Sequence, residues 1–323
     1  MAASLPRIIV TRRWPAAVEQ VLTEAFDTRL NPSDEPLNPE QLRAALCEAD
    51  ALCVTVTDRL DAGCFDVPSL RTRLIANFGV GFNHIDCAAA RQHGILVTNT
   101  PGVLTDCTAD LAMTLLLMTA RRAGEGEREL RAGRWSGWRP THLLGTRVTG
   151  KTLGIVGAGR IGLAVARRAR FGFGMKILLN GRSLPDPDVL ASLDAESSSL
   201  DELLGRSDFV SLHCPSTPQT QHLIDARRLG LMPRHAMLIN TARGDIVDER
   251  ALAAALAERR IAAAGLDVYE AEPRVDEGLL CLDNVVLLPH LGSATRETRV
   301  AMGLRAVDNV RAFFDGRAPP DQV

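Results

Sequence analysis

Arg243, Asp267, Glu272 and His290 are the residues whose types and placement could do chemistry together. Each follows a short apolar run of the kind that forms a buried strand: Arg243 after 236–240, Asp267 and Glu272 after 261–266, His290 after 285–288. Histidine can give or take a proton near neutral pH, and a carboxylate beside it orients the ring and favours its charged form. Arginine grips a carboxylate with a two-pronged fork, and its fixed charge polarises a neighbouring carbonyl. Such a set could hold a 2-oxo acid through Arg243 and protonate its carbonyl oxygen from His290, with Glu272 as the partner of the ring. Taken singly, each has an ordinary alternative. Arg243 or Glu272 could be half of a surface ion pair, Asp267 a helix cap and His290 a loop histidine. The set argues for function because the carboxyl ends of strands in an open α/β sheet line one crevice.

The same edge should carry a nucleotide. Residues 151–156 read as a buried strand, followed by Gly157-Ala-Gly159-Arg160-Ile161-Gly162, a helical run 163–169 and a second strand 175–179. Gly157 allows the tight turn, Gly159 lets the backbone approach a pyrophosphate, and Gly162 lets the helix lie close to the strand. The helix start then offers free N–H groups and a positive dipole end. A bare G-x-G-x-x-G is often only a glycine-rich turn; the strands and helix around this one make it a dinucleotide site. An NAD site usually has Asp or Glu after the second strand, to bond the ribose 2′-hydroxyl. Here the strand runs into Asn180-Gly181-Arg182-Ser183 with no acid. Arg182 could pair with a 2′-phosphate and Ser183 could donate to it, so NADP(H) is expected over NAD(H), with NAD(H) possible. With a nicotinamide cofactor, the strand-end set reads as a site for hydride transfer to a carbonyl.

Composition narrows the remaining classes. With 46% apolar and 24% charged residues, the 323-residue chain suits a soluble protein of two medium domains. A formal net charge of −2 gives no electrostatic case for nucleic acid or an anionic membrane. Cysteines 47, 53, 64, 87, 107, 214 and 281 are odd in number, scattered and never C-x-x-C, so they read as buried thiols in a reducing compartment. Neither they nor the histidines make a metal-ligand pattern. The N-terminus lacks a basic segment followed by a long apolar one, and the longest oily run, 111–120, is half a bilayer span. A cytoplasmic location is expected.

Strands and helices alternate along the whole chain, which argues parallel sheets covered on both faces. Strands are expected at 7–10, 51–56, 74–77 and 95–98, and helices at 15–26 and 39–48, the latter opened by Asn38 and Pro39. The loop Phe78-Gly79-Val80-Gly81-Phe82-Asn83 follows a buried strand; its glycines could expose N–H groups to a carboxylate, or it could be a plain turn. Asn99-Thr-Pro-Gly102 suits an interdomain hinge before a long apolar helix, 104–121. The stretch 121–139 reads as a charged connector. It carries Trp135 and Trp138, residue types that favour interfaces, and so points to a dimer contact. Asp248 should cap a helix reaching Arg260, Ser199 and Glu202 form a capping box, and 295–316 reads as a long helix able to return to the first unit.

The chain resembles the D-isomer-specific 2-hydroxyacid dehydrogenases over essentially its whole length. The resemblance rests on the runs 77–86, 99–102, 157–162, 240–244, 265–270 with Glu272-Pro273, and 289–295. It implies that Arg243, Glu272 and His290 match the catalytic triad, and that Val80 and Gly81 match backbone donors to the substrate carboxylate, with Arg243 and Ser293 also at the substrate. It implies cofactor contacts at Thr108, Arg160 and Ile161 for the phosphates. Asn180, Arg182 and Ser183 fall on the ribose side, and His213, Pro215, Thr241, Ala242 and Asp267 along the adenosine and nicotinamide.

The fold it implies is two flavodoxin/Rossmann-like doubly wound parallel-sheet domains flanking an interdomain cleft. The outer domain would take 1–101 plus 293–323 and the dinucleotide domain 102–292, usually paired into homodimers. Within the family the motifs are most similar to glyoxylate/hydroxypyruvate reductases and 2-ketogluconate reductases. The expected activity is therefore NADPH-preferring reduction of glyoxylate and hydroxypyruvate to glycolate and D-glycerate. Another D-2-hydroxyacid dehydrogenase is the rival within the class. A nucleotide-sensing, corepressor-like binding protein is the rival outside it, opposed by the three filled catalytic positions.

Overall fold

The computed structural model describes residues 5–183 and 185–323. The chain divides into two compact units, Met1–Leu104 with Ser293–Val323, and Thr105–Gly292.

The first unit is a five-stranded, all-parallel sheet. Its strands are β1 (Arg7–Val10), β2 (Asp27–Arg29), β3 (Ala51–Val54), β4 (Leu74–Asn77) and β5 (Leu96–Thr98), in the order β2-β1-β3-β4-β5. β3 and β4 are buried at every position, as central parallel strands must be. Asn38 and Gln41 form a full capping box on the helix Pro39–Glu48, and Asp86 caps Cys87–Gln92. The last helix, Arg296–Phe314, packs here, against β4 and the helix Ala16–Ala25. Gly303 permits that approach: a Cβ there would lie 2.7 Å from the Val18 side chain. Arg305 grips Asp321 with two bonds (2.6 and 2.7 Å), and buried Asn309 donates to the same carboxylate, so the C-terminus is tied to this unit.

The second unit is a seven-stranded parallel sheet. Its strands are β6 (Thr152–Val156), β7 (Lys176–Asn180), β8 (Ala195–Ser197), β9 (Phe209–Leu212), β10 (Met237–Asn240), β11 (Ala263–Leu266) and β12 (Val285–Leu287), in the order β12-β11-β10-β9-β6-β7-β8. Order reverses between β6 and β9, and that reversal opens a crevice at the carboxyl edge. Two apolar layers cover the faces. One is built on Leu115, Leu116, Ile155 and Val165, the other on Leu212, Leu238, Leu252 and Leu266.

Several expectations are corrected. The stretch read as a connector contains a helix, Ala123–Arg131, with no buried residue. β2 and β8 and the helix Pro187–Leu193 were not expected at all. No cysteine is in a disulfide, but only Cys53 and Cys64 are buried and Cys281 is exposed, so the reading of all seven as buried thiols holds for two. Among the described residues no helix is long and apolar enough to cross a membrane.

Candidate active site

Three strand ends in the second unit bring the expected triad together. β10 ends at Asn240, whose side chain accepts the Ala242 N–H (3.0 Å) and donates to the Arg243 carbonyl (2.8 Å), shaping the turn that presents Arg243. β11 leads through Asp267 to Glu272. β12 leads to His290, whose Nδ1 meets Glu272 Oε2 at 2.8 Å, while Glu272 Oε1 accepts the Tyr269 N–H at 3.0 Å. His290 and Glu272 are each about a third exposed, 31% and 32%. Burial alone would raise the Glu272 carboxyl; its bond to His290, the ring's charge and the nearby Arg243 guanidinium outweigh that and hold it below its ordinary value. Burial disfavours the charge on Arg243, and Glu272 and Asp245 partly restore it.

His290 adopts a left-handed backbone (φ 54°), unusual for a residue with a Cβ. Asp267 holds it there. Its carbonyl accepts the His290 N–H (2.9 Å), and its fully buried carboxylate accepts the N–H groups of Leu291 (2.7 Å) and Gly292 (2.8 Å). Burial raises the Asp267 carboxyl, against the pull of those two N–H bonds and of His290. Expected from the sequence as a cofactor contact, Asp267 thus spends both oxygens on the histidine turn. Thr108, expected at the cofactor phosphates, is buried and donates to the Gly292 carbonyl at 3.0 Å. Tyr269 adds a further tie, donating to the Leu288 carbonyl at 2.8 Å. Neither Tyr269 nor the second role of Asp267 had a signal in the sequence beyond lying at a strand end.

The residues of the glycine turn fit a dinucleotide phosphate. Gly157 has φ +103°, and a Cβ there would lie 2.4 Å from the Cys214 nitrogen, so the turn rests directly on the backbone that leaves β9. A Cβ on Gly162 would meet the Gly157 carbonyl at 2.1 Å, whereas Gly159 faces open space. Helix Arg160–Phe173 starts at Gly159 with no side-chain cap and no acid in its first turn, leaving the Arg160 and Ile161 N–H groups to the open side. Asn180 ends β7, accepts the Gly157 N–H on its carbonyl (2.8 Å) and donates to Ser198 (2.9 Å); Arg182 and Ser183 beyond it are exposed. His213 is pushed down to about 4 by burial, so it is neutral, and its Nε2 pairs with Ser211 at 2.8 Å. Pro215 is exposed, Thr241 buried and Ala242 half-buried, all at the same carboxyl edge.

In the first unit, the 78–83 loop is held from beneath. Buried Asn77 donates to the carbonyls of Gly79 and Gly81 (3.0 Å each), and Asn99 donates to that of Val80 (2.8 Å). With the carbonyls drawn inward, the Val80 and Gly81 N–H groups have no partner among the described residues. Ser293 stands at the start of the returning segment and accepts the Thr295 N–H at 3.0 Å. A cavity of about 420 Å³ opens at this edge, lined by Arg13, Trp14, Asp34, Val56, Phe78 and Arg299. It was missed in the sequence, although Arg13, Val56 and Phe78 all lie just past strand ends. Among the described residues no cluster of three or more His, Cys, Asp or Glu could hold a metal ion.

Fold, glycine cradle and strand-end triad define a nicotinamide-dependent oxidoreductase, and the chain belongs to the D-isomer specific 2-hydroxyacid dehydrogenase family, whose NAD-binding domain matches residues 113–292. Among its relatives, the glyoxylate reductase of Thermococcus kodakarensis is 47% identical over 98% of this chain and 96% of its own length. The NADPH-dependent glyoxylate/hydroxypyruvate reductase of Sinorhizobium meliloti, solved with NADP and malonate, superposes with a TM-score of 0.87 at 37% identity, covering 99% of this chain and 97% of that one. A glyoxylate reductase from Paecilomyes thermophila gives 0.86 at 32% identity, covering 100% and 99%.

Proposed function

We propose that this protein is an NADPH-preferring reductase of glyoxylate and hydroxypyruvate, forming glycolate and D-glycerate. The observation that carries the reading is the 2.8 Å pairing of His290 with Glu272 beside the Arg243 turn. The bound cofactor would supply a hydride to the carbonyl carbon. His290 then gives its ring proton to the oxygen as charge develops there, while Glu272 fixes the ring by its other nitrogen. Arg243 holds the substrate carboxylate and polarises the adjacent C=O. The Val80 and Gly81 N–H groups and Ser293 are assigned to substrate binding. For the cofactor, Arg160, Ile161 and Thr108 are assigned to the phosphates, Arg182 and Ser183 to a 2′-phosphate, and His213, Pro215, Thr241 and Ala242 to the remainder. The acid-free end of β7 supports NADPH.

Turnover of glyoxylate and hydroxypyruvate with NADPH is the direct test. His290→Ala should lower kcat by roughly 10²–10⁴-fold; unaltered turnover would remove the assignment. Arg182→Ala should weaken NADPH by about tenfold and leave NADH alone, and equal effects on both would sink the assignment of Arg182 to a 2′-phosphate. The 420 Å³ cavity beside the 78–83 loop favours a second reading, in which longer hydroxylated acids such as 2-ketogluconate are substrates. A panel of 2-oxo acids ranked by kcat/KM decides between the two. Trp135 and Trp138, 53% and 83% exposed, support a homodimer with this segment at the contact. Light scattering of the wild type and Trp138→Ala tests the dimer.

A further inference from the structure

Glu249 opens the helix Glu249–Ala257, directly after the turn that presents Arg243, yet the residue is only 7% exposed. A buried acid at a first helical turn needs partners, and helix capping does not supply them, because Asp248 already accepts the Ala251 N–H. The partner lies across from it, on the segment between β11 and the helix Glu277–Leu280: Glu249 Oε1 accepts a short hydrogen bond from the Glu270 N–H. That amide stands two residues ahead of Glu272, at the start of the loop that carries it.

The rest of the loop leaves little freedom. A Cβ on Gly244 would lie 1.9 Å from the Tyr269 carbonyl carbon, so the Arg243 turn rests on the loop's first peptide. Tyr269 ties that peptide to Leu288, ahead of His290. The Glu270 side chain is anchored separately, by His222 at 2.8 Å. Charged groups around the Glu249 carboxyl are Glu270 and Asp276, with the His222 ring on the far side of Glu270. Burial raises Glu249 above the usual carboxyl range, and the bond from the Glu270 N–H opposes it.

We infer that Glu249 is a positioning residue: its carboxyl clamps the start of the loop that carries Glu272 and so fixes Glu272 against His290 and the Arg243 turn. The inference rests on the proposed reductase reading for its kinetic consequence, but the clamp itself is independent of it. Two measurements on the full-length protein test it. Amide hydrogen exchange reads the clamp: Glu249→Ala should speed exchange at Glu270, and unchanged protection there would overturn the proposal. Glyoxylate reduction across pH reads the consequence. In Glu249→Ala kcat should fall roughly 10- to 100-fold with KM moving far less, as expected for a displaced catalytic group. The alkaline limb of the kcat/KM profile should move to lower pH, because Glu272 no longer supports the charged ring. Glu249→Gln keeps one acceptor and should fall between the two, and it carries both tests if the alanine variant does not fold. A fall in kcat with an unmoved pH profile would mean a merely structural role and overturn the proposal. A wild type inactive on every 2-oxo acid would defeat the reductase reading, with exchange still deciding the clamp.

Discussion

The two sheets each end in a glycine-bearing loop suited to an anion, and they build it by opposite means. In the second unit the turn is made by what is absent. Gly157 and Gly162 sit where any side chain would strike backbone, at 2.4 and 2.1 Å. In the first unit Gly79 has ordinary room, with its nearest neighbour 3.6 Å from a would-be Cβ. That loop is shaped instead by what is present, the carboxamides of Asn77 and Asn99 pulling carbonyls inward. The difference follows from what stands behind each loop. A helix start supplies oriented N–H groups to the glycine turn once the chain comes close enough, whereas the helix after the 78–83 loop begins only at Cys87, so that loop's amides must be turned outward by side chains.

This contrast can be broken most sharply at Gly157. Gly157→Ala should cost about 4 kcal/mol, from a forced left-handed conformation and overpacking against the Cys214 nitrogen, with loss of NADPH binding; denaturant unfolding and nucleotide titration read both. Next in size is the histidine whose backbone that glycine touches. With His213 pushed down to about 4 in the folded protein and ordinary at 6.5 when unfolded, the unfolded chain binds the extra proton first. Stability should therefore decline as pH falls from 6.5 towards 4, by ~3 kcal/mol in all. His213→Gln should flatten that part of the acid limb; the same slope in both proteins would refute the neutral buried assignment. In the other loop, Asn77→Ala should cost about 2 kcal/mol by leaving two carbonyls short of a donor, and it should raise KM for the 2-oxo acid more than it lowers kcat. The smallest effect is expected at Gly79→Ala, below ~1 kcal/mol. A Gly79 variant as damaging as Gly157→Ala would erase the distinction between the loops.

Much of the local structure was legible because its causes are local. Capping residues Asn38, Ser199 and Asp248 are all observed to accept the expected N–H groups. Runs such as Leu74-Ile-Ala76 and Met237-Leu-Ile239 are continuous, apolar and buried, which only central parallel strands need be. What escaped notice lacks that signature. β2 and β8 are three-residue edge strands of mixed exposure, Asp27-Thr-Arg29 and Ala195-Glu-Ser197, paired on one side only. Helix Ala123–Arg131 buries nothing, is strongly polar and contains Gly124 and Gly126, so propensity does not announce it.

By itself the sequence determined the order of elements, the glycine turn and the chemical identity of the strand-end residues, since these depend on neighbours within a few positions. Only the tertiary structure decided how Arg243, Glu272 and His290 meet. That depends on parallel β10, β11 and β12 lying side by side, on Asp267 bending the chain at His290, and on Glu249 reaching 21 residues along the chain to hold Glu270. Contacts between distant segments carry no periodicity and no local propensity, and a buried carboxyl's partners appear only once the chain has folded around it.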